Sequence, residues 1–132
     1  MKLRNSLRTF AAAGLILGAV AVSAGSASAA GKDGWLEAGE FGLFCTANQG
    51  NSVFDLYTSD GYFPDDFFKG SQSCAGHTTD DYTESYHNRD TFTWDVYTDP
   101  QRGGYQTHLN PTEKGNFNSL YGNKLSSAYI RL

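Results

Sequence analysis

The chain has 132 residues and carries ten basic and fourteen acidic side chains, which give a formal net charge of −4. An acidic chain without a basic stripe repels phosphate backbones, so nucleic acid is excluded as an expected partner. After residue 30, no apolar run approaches the roughly 20 residues that a membrane-spanning helix requires. We therefore expect no membrane association of that part of the chain.

Residues 1–30 have the composition of a secretory signal peptide. The segment consists of a basic start, an apolar run and a tail of small residues: Lys2, Arg4 and Arg8; Phe10 to Val22; and Ala27-Ser28-Ala29-Ala30. Its removal leaves 102 residues with seven basic and fourteen acidic side chains, a formal charge of about −7. That length suits one compact domain over residues 31–132. We expect it to be secreted, extracellular and monomeric.

Cys45 and Cys74 are the two cysteines of the chain, and both follow the predicted signal peptide. Exported proteins meet an oxidising compartment, in which two such thiols pair. No pattern that would activate a thiolate surrounds either residue. The sequence therefore predicts a structural disulfide between Cys45 and Cys74.

The first half of residues 31–132 predicts an arm, a hairpin and a short helix. Residues 31–40 form the arm, in which Trp35 and Leu36 are expected to pack onto a sheet edge. Apolar residues at 41–45 and 53–57 flank a polar turn, which indicates a hairpin. Residues 64–70 begin with proline and acids and end with lysine and glycine, a pattern typical of a short helix.

The second half predicts the same order of elements. Residues 91–98 alternate between apolar and polar side chains, as in a half-buried strand, and residues 105–109 resume the alternation after a glycine-rich turn. Residues 110–113, Asn-Pro-Thr-Glu, have the layout of a capped helix start. Residues 125–132 predict a closing strand.

Short strands, glycine-rich turns and the lack of a long amphipathic pattern indicate an all-β fold. We predict a single β-sandwich built from two Greek-key motifs, with short helical turns. Eighteen of the nineteen aromatic residues lie after residue 30. Large rings bury much apolar area per residue, so we expect most of them in the core.

Each half also contains an oxygen-rich segment, and the two segments start 42 positions apart. They are Asp80-Asp81-Tyr82-Thr83-Glu84-Ser85 and Gly122-Asn123-Lys124-Leu125-Ser126-Ser127. Carboxylate, hydroxyl and carbonyl oxygens at fixed offsets suit a hard cation such as calcium. The final serines have a second interpretation, because a serine can satisfy backbone groups where two motifs cross without any ion.

These segments resemble the Asn/Asp-Asn/Asp-x-x-Ser/Thr-Ser signature of microbial βγ-crystallin domains. The layout is also similar to secreted actinobacterial peptidase inhibitors of the Streptomyces metalloproteinase inhibitor type, which share that fold. The resemblance implies two weak calcium sites, each combining oxygens from both segments, a backbone carbonyl among them. The implied ligand residues are Asp80, Asp81, Tyr82, Glu84, Asn123, Lys124 and Ser126. Glu84 and Gly122 depart from the signature, and Gly122 should weaken one site.

No catalytic residues are predicted. His77, His87 and His108 lack the spacing of a zinc site, and no G-x-S-x-G motif occurs. Asp90 and Asp95 are a carboxylate pair of the type that glycosidases use, but a solvated strand face explains them better. Apart from weak calcium, we expect no cofactor, and we expect the protein not to be an enzyme.

The segment from Ser59 to Ser73 combines aromatic rings with acids inside the predicted disulfide loop. A tethered loop loses little entropy on docking, and aromatic residues are common interface anchors. Our candidate contact residues for a peptidase are Tyr62, Phe63, Pro64, Asp65, Phe67 and Phe68. In the alternative interpretation, the rings fill the core and Pro64 starts a helix.

Two functions follow from the resemblance. The first is a secreted inhibitor of an extracellular peptidase, with metallopeptidases as the expected targets, although the sequence identifies no scissile bond. The second is an extracellular calcium-binding or structural βγ-crystallin module without inhibitory activity. A toxin on the same scaffold is a third interpretation, although the acidic charge disfavours direct attack on anionic membranes.

Overall fold

The computed structural model describes residues 31–132, so the predicted signal peptide lies outside the described residues. The described chain is all-β, as predicted. Its seven strands are β1 (Phe41–Thr46), β2 (Gly50–Leu56), β3 (Ser85–Asn88), β4 (Trp94–Asp99), β5 (Gly103–Leu109), β6 (Lys114–Asn116) and β7 (Ser127–Ile130). Among these residues, no helix is long and apolar enough to cross a bilayer.

The strands form two antiparallel sheets, ordered β2-β1-β3-β6 and β5-β4-β7. Their registers match: Phe44 of β1 pairs with Ser85 of β3, and Tyr97 of β4 pairs with Ser127 of β7. Each half therefore contributes a hairpin and a closing strand of the same geometry. This arrangement is the predicted duplication.

Each half also lends one short segment to the other half's sheet. From the second half, β6 pairs with β3 through three residue pairs. From the first half, Asp60 forms a single bridge to Ala128 of β7. This exchange makes each half a Greek key and joins both halves around one core.

The core lies between the two sheets and is rich in aromatic rings, as predicted. Phe41 of β1 stacks on Trp94 of β4 with ring centroids 4.9 Å apart, and both side chains are fully buried. The predicted alternation of the fourth strand also holds, since Trp94 and Val96 face the core. The other fully buried large apolar side chains include Leu43, Leu56, Phe63, Phe68 and Leu125.

The two hairpin turns use equivalent left-handed residues. Asn48 and Gln49 have φ of 60° and 55°, and Gln101 and Arg102 have φ of 55° and 65°. The Arg102 guanidinium lies 3.7 Å from the ring centroid of Tyr129. This cation–π contact closes the second hairpin against the sheet.

Neither of the two predicted short helices forms an α-helix, so both predictions are wrong. The first is reduced to a 3-10 turn, Phe63–Asp65, because Asp66 is already extended at φ −114° and ψ 148°. At the second, the Glu113 side chain accepts a hydrogen bond from the Asn110 N–H at 2.8 Å, as in a capping box. However, Thr112 has φ 69°, which ends any helix, and the chain enters β6 at once.

The arm at residues 31–40 packs against the first half, but the prediction for its tryptophan is wrong. Trp35 is 73% exposed. Leu36 does pack onto the sheet, because its methyl groups occupy the space over Gly42 of β1. Glycine at residue 42 thus leaves room for the leucine.

The predicted disulfide is confirmed. Cys45 at the end of β1 is bonded to Cys74, and both residues are buried. The bond closes the loop that contains β2 and the 3-10 turn. The second half has Thr98 at the place equivalent to Cys45, and its hydroxyl accepts a hydrogen bond from the Tyr105 N–H at 2.9 Å.

Candidate functional site

The two oxygen-rich segments occupy equivalent positions, because each ends on the first residue of its strand, Ser85 of β3 and Ser127 of β7, as their 42-residue spacing predicts. The Asp81 N–H donates to the Leu125 carbonyl at 3.0 Å, and the Asn123 N–H donates to the Thr83 carbonyl at 2.8 Å. Asp81 and Asn123 share a left-handed conformation, with φ of 56° and 59°. Each segment therefore holds the other through the same pair of backbone hydrogen bonds.

The side chains repeat this exchange. Ser126 Oγ lies 3.5 Å from Asp81 Oδ1, and Asn123 Nδ2 lies 3.2 Å from Glu84 Oε2. Ser126 and Glu84 are equivalent by the 42-residue offset, as are Asp81 and Asn123. Two corners result, and each combines one side chain from either half of the molecule.

We call the first of these the acidic corner, formed by Asp80, Asp81, Asp99, Lys124 and Ser126. These residues line one open depression, together with the exposed side chains of Tyr105 and Leu120. Burial raises the pKa of Asp81, and the neighbouring charges of Asp80 and Asp99 raise it further. The Ser126 hydroxyl and the Lys124 ammonium act in the opposite direction. Mutual repulsion among carboxylates is the condition that a bound cation relieves.

One oxygen of the acidic corner lacks a partner. Asp80 Oδ1 is buried and has no hydrogen bond, while the Asp80 N–H donates to Thr78 Oγ1 at 3.2 Å. Buried carboxylate oxygens normally have donors or a cation. The orphaned oxygen is therefore a suitable ligand atom for a hard cation.

We call the second the amide corner, formed by Glu84, Asn116, Asn118, Gly122 and Asn123. These residues line a separate depression. Glu84 is its single carboxylate, and the Asn123 amide already donates to that carboxylate. Gly122 provides no side-chain oxygen at the position where the acidic corner has the carboxylate of Asp80. The amide corner thus offers a cation much less charge.

The side chains of the two remaining predicted ligand residues make other contacts, although the Lys124 ammonium still acts on Asp81. The Tyr82 ring stacks on His77 with centroids 3.5 Å apart. Lys124 Nζ donates to the Ser119 carbonyl at 2.9 Å. Any role of these two residues as ligands would use their backbone carbonyls, as the family resemblance implies.

The serines that end each segment hold the hairpins. Ser85 Oγ donates to the Thr46 carbonyl at 2.6 Å and accepts the Gln49 N–H at 2.8 Å. Ser127 Oγ donates to the Asp99 carbonyl at 2.8 Å. Both serines are fully buried. The structural interpretation of the final serines therefore holds, and it is independent of any cation.

Sequence reasoning missed Asp99. It is the last residue of β4 and lies 18 positions from Asp81, inside what the sequence presents as an ordinary turn. A signal was nevertheless available, because the serine at the end of each segment must meet the hairpin of its own half. That constraint brings Asp99 to the acidic corner through its hydrogen bond with Ser127.

Two groups of three carboxylates with oxygens within 4.8 Å of one another occur among residues 31–132, and both lie outside the acidic corner. They are Asp33, Glu37 and Asp55, and Asp60, Asp65 and Asp66. In the second group, Lys32 Nζ lies 2.8 Å from Asp60 Oδ2 and 3.1 Å from Asp66 Oδ1. The lysine already provides the positive charge there.

The pair Asp90 and Asp95 serves the fold. Asp90 is buried, in contrast to the expected solvated face, and its Oδ2 accepts the Trp94 indole N–H at 2.9 Å. Asp95 forms an ion pair with Arg131 at 2.6 Å. Both carboxylates thus have structural partners.

The candidate peptidase contact surface is narrower than predicted. Phe63 and Phe68 are 0% and 2% exposed, so neither can touch a partner, and their inclusion was wrong. Their rings were needed to fill the core beneath the disulfide loop. Tyr62 and Phe67 are 48% and 51% exposed, and they lie on the outside with Pro64 and Asp65.

Comparison with known proteins gives structural matches alone. No protein-family model matches the chain, and no curated protein matches it. One similar structure was solved in work on the evolution of the eye-lens βγ-crystallin domain fold. It has 14% identity and a TM-score of 0.56, covering 74% of this chain and 90% of that one.

A second similar structure is a βγ-crystallin from Ciona intestinalis. It has 25% identity and a TM-score of 0.55, and the match covers 70% of this chain and all of the other. The fold of residues 31–132 is therefore that of a βγ-crystallin domain. The narrower likeness to metalloproteinase inhibitors rests on the sequence pattern.

Proposed function

We propose that this chain is an extracellular βγ-crystallin-type module that binds calcium, or a similar hard divalent cation, at the acidic corner. One observation carries the proposal: carboxylates from both halves, Asp80, Asp81 and Asp99, line one depression with Ser126, and one buried oxygen there has no partner. Carboxylate and hydroxyl oxygens are the ligands that calcium prefers. The disulfide supports an extracellular location.

The cation would stabilise the junction between the two halves. Asp81 and Ser126 come from different halves and already lie 3.5 Å apart. A cation bound between them opposes separation of the halves, and it binds the folded state alone. Extracellular modules typically hold calcium at about 10⁻⁴ to 10⁻³ M, so 10 mM calcium should stabilise the fold by about 1.4 to 2.7 kcal/mol.

Thermal melts with calcium and with a chelator test this proposal. We expect calcium to raise the Tm by at least about 5 °C, since 1 kcal/mol shifts the Tm of a domain of this size by several degrees. Asp81→Asn should abolish the rise. Glu84→Gln, which makes the same chemical change at the amide corner, is the matched control and should keep it. Identical midpoints with calcium and chelator would contradict the proposal.

A second candidate function, inhibition of an extracellular peptidase, is favoured by the segment around the 3-10 turn. Tyr62 and Phe67 project outward, while Phe63 and Phe68 anchor the segment in the core. The Phe63 N–H also donates to the Ser126 carbonyl at 3.0 Å. A segment held this firmly loses little entropy when it docks into a cleft.

A panel of metallo-, serine and cysteine peptidases tests the inhibitor function. Slow-turnover inhibition that is lost in Tyr62→Ser and Phe67→Ser would support it. Tyr105→Ser is the matched control, because Tyr105 is 62% exposed and lies at the acidic corner, away from this segment in sequence. A flat result across the panel would leave the module as the function.

A further inference from the structure

The carboxylate of Glu40 lies fully buried where the arm joins β1. Its Oε1 accepts the Glu37 N–H at 2.9 Å, and its Oε2 accepts the nitrogen of Gly31 at 2.9 Å. Both donors are main-chain nitrogens of the arm. The carboxylate therefore fixes the beginning of the described chain to the sheet.

The groups around the Glu40 carboxylate carry negative charge. Burial raises the pKa of Glu40 to about 8, and the charges of Asp55 and Glu37 raise it against the effect of its two backbone hydrogen bonds. Within residues 31–132, Glu40 belongs to none of the side-chain ion pairs, which join Lys32 to Asp60 and Asp66 and Arg131 to Asp95. A buried carboxylate without a cation is costly. With a pKa of about 8, Glu40 is mostly protonated at pH 7, so a cation beside it is needed to hold the charged form there.

Among residues 31–132, Gly31 is placed to supply that cation, because its nitrogen lies 2.9 Å from Glu40 Oε2. An added Cβ at residue 31 would lie 2.9 Å from Tyr57 Cβ, so the absence of a side chain allows its nitrogen to come this close. Gly31 also directly follows the predicted signal peptide. The tail of small residues there permits several cuts, among them one before Ala30, with Ala27 and Ala29 at the recognised positions, and one before Gly31, with Ser28 and Ala30.

We propose that the peptide bond between Ala30 and Gly31 is the processing site, and that the new α-ammonium of Gly31 pairs with the Glu40 carboxylate. An external endopeptidase would hydrolyse this bond with one water, leaving a carboxylate on Ala30 and an amine on Gly31, which takes up a proton. The ammonium then neutralises the buried charge. Of the cuts that the sequence permits, the structure favours this one.

The ion pair would secure the whole start of the arm. Immediately after Gly31, the Lys32 N–H donates to the Asp55 carbonyl at 2.6 Å, and the Asp33 and Gly34 N–H groups donate to the Asp55 carboxylate at 3.1 and 2.8 Å. Residues 31–34 are thus docked along the end of β2. Processing completes this docking by providing the charge that the amide nitrogen of an uncut chain lacks.

The first test is the intact mass of the exported protein after expression of the full chain. We expect a mass equal to residues 31–132 with one disulfide, and a Gly31 N-terminus on sequencing. A product that begins at Ala30 or at any other residue would overturn the proposal, as would accumulation of the uncut chain.

The second test measures the reactivity of the α-amine towards an acylating reagent at pH 7. We expect labelling of Gly31 to be at least about tenfold slower in the folded protein than in urea, because burial and pairing both remove the free amine. Glu40→Gln should remove much of this protection. Glu113→Gln, whose carboxylate caps a turn in the second half, should keep it. Equal labelling of folded and unfolded wild-type protein would overturn the ion pair even if Glu40→Gln does not fold.

Discussion

The acidic corner and the amide corner have the same backbone and different chemistry. In both, a left-handed residue donates its N–H across the molecule, and a buried serine ties the segment to a hairpin. The acidic corner adds Asp80, Asp81 and Asp99, whereas the amide corner has Glu84 and lacks a side chain at Gly122. The shared features therefore stabilise the fold, and the features that differ determine where a cation can bind.

Removal of the disulfide, which distinguishes the first half from the second, should have the largest effect on stability. The Cys45–Cys74 bond closes a loop with a sequence separation of 29, while the second half has no such bond. Replacing both cysteines with alanine should lower the free energy of unfolding by about 3 to 4 kcal/mol, since the unfolded chain regains loop freedom. Urea unfolding measures this, and an unchanged midpoint would contradict the assignment of the bond as structural.

Removal of the buried serine hydroxyl that both corners share should lower the free energy of unfolding by a similar amount in each case. Ser85→Ala and Ser127→Ala each leave a carbonyl of the adjoining hairpin without its donor. Each should cost about 1 to 3 kcal/mol, with or without calcium. Urea unfolding of the two variants in chelator provides the comparison. A large cost for one serine and none for the other would mean that the halves are not equivalent.

Adding the missing side chain should make the corners more alike. Residue 122 has an ordinary backbone conformation, and an added Cβ would lie 3.1 Å from the Asn118 carbonyl, so a small adjustment admits it. Gly122→Asp should create a second calcium-dependent increment in stability, of about 1 kcal/mol. Gly122→Ala controls for the side chain itself. Calorimetric titration that detects one site in both variants would count against this prediction.

A change of pH should produce the smallest effect, and its sign should depend on calcium. The pKa of Asp81 is raised in the folded state, so without cation the folded state binds the proton more tightly. Stability should therefore fall as the pH rises above about 4, the value of an unfolded aspartate. Calcium binds the charged form and should reverse this slope.

Thermal melts between pH 4 and 7 of wild type and Asp81→Asn isolate that contribution. Asp81→Asn should flatten the dependence of the Tm on pH, both with and without calcium. Asn123→Ala alters the equivalent residue, which has no titrating group, and should leave that dependence unchanged. If Asp81→Asn and wild type have parallel curves with and without calcium, then Asp81 does not titrate in the predicted way.

Local patterns were sufficient to predict the hairpins, the disulfide and the equivalence of the two polar segments. Strand alternation, cysteine count and a repeat at a 42-residue spacing can all be read directly from the order of residues along the chain. The exchanged segments were missed because they have no such pattern. The strand Lys114–Asn116 has three residues without an apolar side chain, and the Asp60–Ala128 bridge involves one residue on each side.

The helix and arm predictions failed for a different reason, which is that tertiary contacts overrode local preference. Residues 110–113 make the hydrogen bond of a capping box, but Thr112 turns the chain into a strand that the other half needs. Trp35 is exposed, while the carboxylates of Glu40 and Asp55 are buried. Such inversions of the usual burial preference depend on partners far away in sequence, so composition cannot reveal them.

A calcium titration followed residue by residue in NMR spectra tests most directly whether one fold carries two chemically different corners. The predicted result is saturable shifts of the amide signals of Asp80, Asp81, Asp99 and Ser126, with the signals of Glu84 and Gly122 nearly unchanged. Equal shifts at both corners, or no shifts at either, would contradict the assignment of cation binding to the acidic corner.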